Sequence, residues 1–190
     1  MPYCAASITN GVGVPVTADV EAGYGLAGRE LIEALLDAGA VGCNIEDTDH
    51  ATGAGLLDAD AHAAYLTEVR AAATAAGVPI VINARIDTIA RHPQRDAQAA
   101  MPETVRRARL NFEAGADCVY PLGLSAPSLV AELASAVGGP LNVNPSVPLT
   151  ALAEAGAARL SIGPGAFRLL MAEFGRRAEK LLAGCAAVFS

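Results

Sequence analysis

Short apolar runs alternate with amphipathic stretches from one end of the chain to the other. The apolar runs fall at 15–20 (PVTADV), 41–46 (VGCNIE), 79–86 (PIVINARI), 117–122 (DCVYPL), 140–144 (PLNVN) and 159–163 (RLSIG). Between and after them lie helix-period segments at about 28–38, 59–76, 102–114, 125–136, 148–155 and 165–183. Two kinds of punctuation take turns ahead of the runs. Asp37-Ala38-Gly39-Ala40, Glu113-Ala114-Gly115-Ala116 and Glu154-Ala155-Gly156-Ala157 each end a helical stretch, with a glycine placed to close it in the left-handed conformation. The other three runs follow Val14-Pro15, Val78-Pro79 and Gly139-Pro140, and proline is tolerated at a strand entry. Six strand-helix units in succession predict a parallel sheet, because a parallel crossover needs a helix to bring the chain back.

Polar residues gather at the C-terminal ends of these strands: Asp19 and Glu21, Glu46 and Asp47, Asn83, Arg85 and Asp87, Asn142 and Asn144, then Ser161. Polar groups arriving from many strands at one rim are the mark of a (β/α)8 barrel, whose active site is built there. A doubly wound sheet would collect them at one switch point, behind a glycine fingerprint that this chain lacks. The expected fold is therefore α/β, of TIM-barrel type but incomplete, with six βα units in a single domain over residues 1–190.

Charge and composition narrow the chemistry. The chain has 13 Lys and Arg against 20 Asp and Glu, a net charge of −7, with no basic stripe to follow a phosphate backbone, so nucleic acid is not an expected partner. No run approaches the roughly 18 apolar residues of a membrane span. The start, Met1-Pro2-Tyr3, has no leader pattern, and Cys4, Cys43, Cys118 and Cys185 show no paired spacing, which fits free thiols in a cytoplasm. Lys180 is the sole lysine and sits in the last helical stretch, which argues against a Schiff-base mechanism and against a P-loop.

The strongest local signal is Asp19-Val20-Glu21-Ala22-Gly23-Tyr24-Gly25, two carboxylates separated by one residue where a strand meets a glycine turn. In a continuing strand they would face the same way, and Glu46 at the next strand end can join them. An all-carboxylate set suits a hard cation, Mg2+ or Mn2+. The same residues also suit helix N-terminal acids answering a dipole, and residue types alone do not decide between the two.

The segments PVTADVEAGYG (15–25), GCNIED (42–47), INARID (82–87), EAGADCVYPLG (113–123), LNVNP (141–145) and ARLSIGPG (158–165) resemble the isocitrate lyase/phosphoenolpyruvate mutase superfamily, most of all its phosphonomutase-like members. The resemblance implies a Mg2+-dependent barrel enzyme, a lyase or mutase that makes or breaks a carbon-carbon or carbon-phosphorus bond. The bond would lie next to a small 2-oxo or 2-hydroxy carboxylate, with an enolate-like intermediate. It implies Asp19 as direct metal ligand, Glu21 and Glu46 as ligands through water, and Arg85 as the grip on the substrate carboxylate. Tyr24 and Asn144 join Arg85 as expected substrate-binding residues. A guanidinium suits a bidentate carboxylate contact, although Arg85 could instead form a structural salt bridge to Asp87.

Two departures from the superfamily pattern stand out. Its lyases carry a Lys-x-Cys-x-His type loop after the second of these strands, whereas this chain reads Thr48-Asp49-His50-Ala51-Thr52-Gly53-Ala54-Gly55. With no thiol there, His50 becomes the candidate proton donor, since imidazole is the side chain that exchanges protons near neutrality. His62 and His92 read as surface residues and Cys43 as core. Superfamily barrels also have two βα units ahead of the DxExGYG motif, and six strands cannot close an eight-stranded barrel. Strands 15–20 and 159–163 are expected as open edges, which predicts a homo-oligomer. A late start, a truncated chain and closure by a partner chain are the competing accounts. An inactive fragment serving as a binding or interaction module is the alternative function.

Overall fold

A computed structural model describes residues 2–53, 55–145 and 147–184, with side chains from Ala5 onward. Residues up to Leu160 form one compact unit and those from Ser161 a second. In the first unit α1 (Pro2–Thr9) precedes β1 (Thr17–Asp19), α2 (Gly28–Asp37) and β2 (Gly42–Glu46). A small hairpin, β3 (Thr48–Asp49) and β4 (Gly55–Leu56), leads to α3 (Ala59–Ala75) and β5 (Val81–Ile86). Then come α4 (Thr88–Arg91), α5 (Ala97–Glu113), β6 (Cys118–Pro121), α6 (Pro127–Val137), β7 (Leu141–Val143), α7 (Leu149–Glu154) and β8 (Ala157–Leu160). The second unit holds α8 (Gly165–Leu182), in which Glu173 pairs with Arg176 and Arg177. Among the described residues no helix is long and apolar enough to cross a membrane.

The six expected strands form one parallel sheet in the order β1-β2-β5-β6-β7-β8, with β1 and β8 as its edges. This is an open sheet of the (β/α)-barrel type with six βα units. The glycines of the repeated motif close α2, α5 and α7 with positive φ: 72° at Gly39, 97° at Gly115 and 99° at Gly156. Each N–H there turns back to a carbonyl three residues earlier, on Leu36, Phe112 and Ala153. Helix α5 begins five residues before the expected position because Asp96 caps it, accepting from the N–H groups of Gln98 and Ala99. Pro102 lies inside it without ending it. The last strand ends at Leu160, so Ser161, the residue after it, opens the second unit.

Period-two alternation divides each strand between two faces. One face carries Val20, Cys43, Ile45, Ile82, Ala84, Ile86, Val119, Leu141 and Val143, packed under Leu31, Ile32, Leu35, Leu66, Val69, Val130, Leu133 and Leu152 of the helices. Each fully buried Leu or Ile contributes on the order of 1.5–3 kcal/mol. Burial raises the Cys43 thiol to about 12, which suits a core side chain and no chemistry. The other face is polar. Asn83 donates to Asn44 on the adjacent strand (2.7 Å) and accepts from Asn142 (3.4 Å), reaching across β6 to β7. Contact between side chains two strands apart requires that the sheet curl toward this face.

Candidate active site

The register of the sheet sets the residues of the polar rim side by side. Glu46 pairs with Arg85 and Arg85 with Tyr120, so strands β2, β5 and β6 present an acid, a guanidinium and a phenol abreast. Arg85 is fully engaged. Its Nε and Nη2 donate to the two oxygens of Asp87 (2.7 and 2.8 Å), and Nη1 lies 2.6 Å from Glu46 Oε2. Burial works against its charge, but the bonds to Asp87 and the charges of Asp87, Glu46 and Asp19 outweigh that and hold its pKa above the ordinary value. The other Glu46 oxygen stands 2.5 Å from His50 Nε2. The salt bridge to Asp87 named as the alternative for Arg85 is thus present, and the same guanidinium also reaches the rim carboxylate.

Asp19 and Glu21 are placed differently from the expectation. Strand β1 stops at Asp19, and Glu21 sits in a turn with φ +49°, so the strand argument for a shared direction does not apply. The turn brings them together another way, with the N–H of Glu21 donating to Asp19 Oδ1 (3.2 Å). The Glu46 N–H donates to the Glu21 carbonyl (2.8 Å), which ties the turn to the next strand. Gly23 is required here: its φ is +88°, and a Cβ would run into the Tyr65 ring. Burial, and then the charges of Glu21, Asp19 and Glu46 in that order, raise the pKa of Tyr24. Tyr24, Glu21 and His50 share a cleft of about 420 Å³, together with Thr48, Asp49 and Leu57. Among the described residues, no three His, Cys, Asp or Glu side chains are grouped closely enough to enclose a metal ion. Asp19, Glu21 and Glu46 all lie near enough to Tyr24 for their charges to act on it, without forming a cage.

Asn144 donates to the Tyr120 hydroxyl (2.7 Å) beside this row. Burial raises Tyr120, with Asn144 and Arg85 opposing and Asp87 and Asp19 adding to the shift, so the phenol senses both ends of the rim. Residues to which the sequence assigned no role in the site adjoin this row. Asp47 is fully buried and accepts from the Asp87 N–H (2.8 Å) and from Arg107 Nη1 (3.0 Å). Its burial lifts the pKa to about 6, against the pull of the Asp87 N–H and Arg107. The Thr48 hydroxyl donates to Asp87 (2.6 Å). His62 corrects its expectation: it is buried at 3% exposure, and desolvation lowers its pKa to about 4 even though a bond to Asn111 works the other way. Cys43 and Cys118 are buried free thiols, whereas Cys185 and the Cys4 side chain lie outside what is described.

An open α/β barrel sheet with carboxylates and one guanidinium on its C-terminal rim defines a class, and comparison with known proteins gives it a family. Residues 3–182 match the phosphoenolpyruvate phosphomutase family, and the chain belongs to it. A crystal structure of a candidate phosphonomutase from Burkholderia cenocepacia J2315 is 35% identical, superposes with a TM-score of 0.86 and shares 95% of this chain and 74% of its own. A 2,3-dimethylmalate lyase of the PEP mutase/isocitrate lyase superfamily is 26% identical with a TM-score of 0.82, over all of this chain and 69% of its own. An uncharacterised protein of Mycobacterium tuberculosis H37Rv is 29% identical over 150 residues, or 78% of this chain. The chain spans about half, 54%, of that relative's length.

Proposed function

We propose that the protein is a divalent-cation-dependent lyase or mutase acting on a small 2-oxo or 2-hydroxy carboxylate, making or breaking the carbon-carbon or carbon-phosphorus bond beside it. The observation that carries this reading is the registered row of Glu46 and Arg85, with Asp19 close enough for its charge to act on Arg85, Tyr24 and Tyr120. The donor chemistry fits Mg2+ or Mn2+, since Asp19, Glu21 and Glu46 offer carboxylate oxygens near Tyr24 and no thiol lies among them. Those three would hold the ion. When bound, it would supply positive charge where the enolate oxygen develops.

The chain's own residues supply the rest. Arg85 presents a planar fork to the substrate carboxylate, exchanging its Glu46 contact for it while Asp87 keeps the guanidinium in plane. Tyr24 and Asn144 flank the same space. His50, which lines the cleft, is the group able to deliver a proton at Nε2. Support comes from the family, from a phosphonomutase-type and a lyase-type relative of similar fold, and from the rim geometry.

Titration of the full chain with Mn2+, followed by calorimetry and by loss of the free-ion paramagnetic signal, tests the cation. A 1:1 site that disappears in Asp19→Asn is expected. Small oxo and hydroxy acids, screened with a coupled pyruvate assay, test the reaction. A protein that binds no Mn2+, with every turnover unchanged in Asp19→Ala, would falsify the assignment.

A further inference from the structure

Helix α5 belongs to the outer layer, yet its buried face is not aliphatic throughout. Thr104, Arg107 and Asn111 are as buried as Ala100, Met101 and Ala108 beside them. A buried guanidinium has to be answered by anions and hydrogen bonds. Arg107 Nε donates to Glu103 Oε1 (2.7 Å) and Nη1 to Asp47 Oδ2 (3.0 Å). The second Asp47 oxygen accepts the Asp87 N–H (2.8 Å), and Asp87 holds Arg85 through both of its own oxygens. One residue further on, Thr88 Oγ1 is 2.6 Å from Thr104 Oγ1. The segment leaving β5 is thus tied to α5 directly at Thr88 and through Asp47 at Asp87, and the carboxylate that aims Arg85 is carried on that segment.

We propose that Arg107 is the positioning residue for Arg85, setting the angle of the guanidinium at the mouth through Asp47 and the Asp87 backbone. Arg107 touches neither substrate nor cation. Its distance from the rim is bridged by two carboxylates whose oxygens are all committed, so a shift of Asp47 is passed to Asp87 and on to the fork of Arg85. The inference rests on Arg85 being the carboxylate receptor proposed above. A merely structural Arg107 would neutralise Asp47 and stabilise the unit, with no preference for what Arg85 binds.

The two roles separate in a binding cycle on the full chain with Mn2+ and oxalate as probes. Oxalate resembles an enolised 2-oxo acid, one carboxylate matching the acid's own and an oxygen of the other standing in for the enolate oxygen, and its affinity at saturating Mn2+ is read by calorimetry, with a thermal melt on each variant. Arg107→Met is expected to weaken oxalate by about tenfold or more, in the range seen for residues that orient a ligand from behind. The affinity for Mn2+ alone should stay within about twofold of wild type, because no cation donor hangs on Arg107. In an Arg85→Lys background, which itself weakens oxalate, adding Arg107→Met should change little further. Arg107→Lys keeps the charge but not the two-nitrogen geometry and should recover affinity only in part.

Equal losses from Arg107→Met with and without Arg85→Lys, or no loss at all, overturn the positioning role while leaving Arg85 as receptor. Unchanged oxalate binding in Arg85→Lys overturns the reading of Arg85, and this inference with it. If Arg107→Met does not fold, Glu103→Gln removes only the half-exposed partner of Arg107 and is expected to weaken oxalate about twofold, again only when Arg85 is present. No change in that variant then counts against the proposal.

Discussion

The rim has two arms of opposite character. On the β1 side, Asp19 is exposed and Glu21 half-exposed, and the one carboxylate bond seen there is to a backbone N–H. On the β2 and β5 side, Glu46, Asp47 and Asp87 are at most 4% exposed, and each meets an arginine. The same residue type therefore does two jobs within one site. Carboxylates in contact with water can exchange it for a cation, whereas Asp47 and Asp87 are committed to holding guanidinium groups in place, and Glu46, between the arms, reaches a cation only by giving up its contact with Arg85 or His50.

Stability measurements would break this contrast first. Asp47→Ala or Asp87→Ala removes one of the two carboxylates that answer Arg107 or Arg85, together with a buried hydrogen-bond partner, and should lower unfolding free energy in urea by about 3 kcal/mol. Asp19→Ala, on the open arm, should stay within about 0.5 kcal/mol. Comparable losses on both arms would abolish the distinction.

The buried arm should also carry a pH signature. His62 lies under it, and burial takes its native pKa to about 4, below the ordinary value of 6.5. The unfolded chain therefore takes up the proton first. Its contribution is complete above pH 6.5 and disappears as pH falls toward 4, by an amount on the order of 3 kcal/mol. Asp47 acts in the opposite sense, because its pKa is raised to about 6 and its contribution is lost as pH climbs from 3.8 through 6. The wild-type profile between pH 4 and 6 should thus be flatter than either group alone would give. In His62→Gln the stability should fall with rising pH across that window, and urea melts at pH 4, 5, 6 and 7 would show a parallel offset instead if His62 does not titrate this way.

A smaller effect sharpens the other side. The open arm is exposed in its side chains but not free in its backbone, with positive φ at Glu21, Gly23, Tyr24 and Gly25. Gly23→Ala should lower stability by about 1–3 kcal/mol and displace Glu21, so that Mn2+ binds more weakly than in Asn144→Ala. Thr9→Ala, which removes a 2.6 Å bond to the Ala38 carbonyl far from the rim, should lower stability by about 1 kcal/mol with unchanged Mn2+ affinity.

Much of this was readable along the chain. Strand positions followed from apolar runs because each has one face under helices, and Gly39, Gly115 and Gly156 could be placed because left-handed closure singles out glycine. Asp19, Glu46 and Arg85 were found because a charged residue at the end of an apolar strand has nowhere else to go but the rim. What escaped was the support. Thr104, Arg107 and Asn111 look like a solvated helix face, and only their interleaving with Ala100, Met101 and Ala108 at helical spacing hints that this face is buried. His62 escaped for the same reason. Glu21 was misplaced because a strand was assumed to run on through the turn, which the positive φ at Glu21 forbids.

The amides that link Asn44, Asn83 and Asn142 beneath the rim have a further consequence. Barrels of this architecture usually fill that level with branched aliphatics, an oily floor of low polarisability. A floor of hydrogen-bonded amide dipoles acts on charge above it much as a layer of frozen solvent would. It lowers the energy of ions held over it and keeps their self-energy nearly constant as a substrate arrives or departs. An ion or an anionic ligand placed above that floor would therefore meet amide dipoles where other barrels offer hydrocarbon.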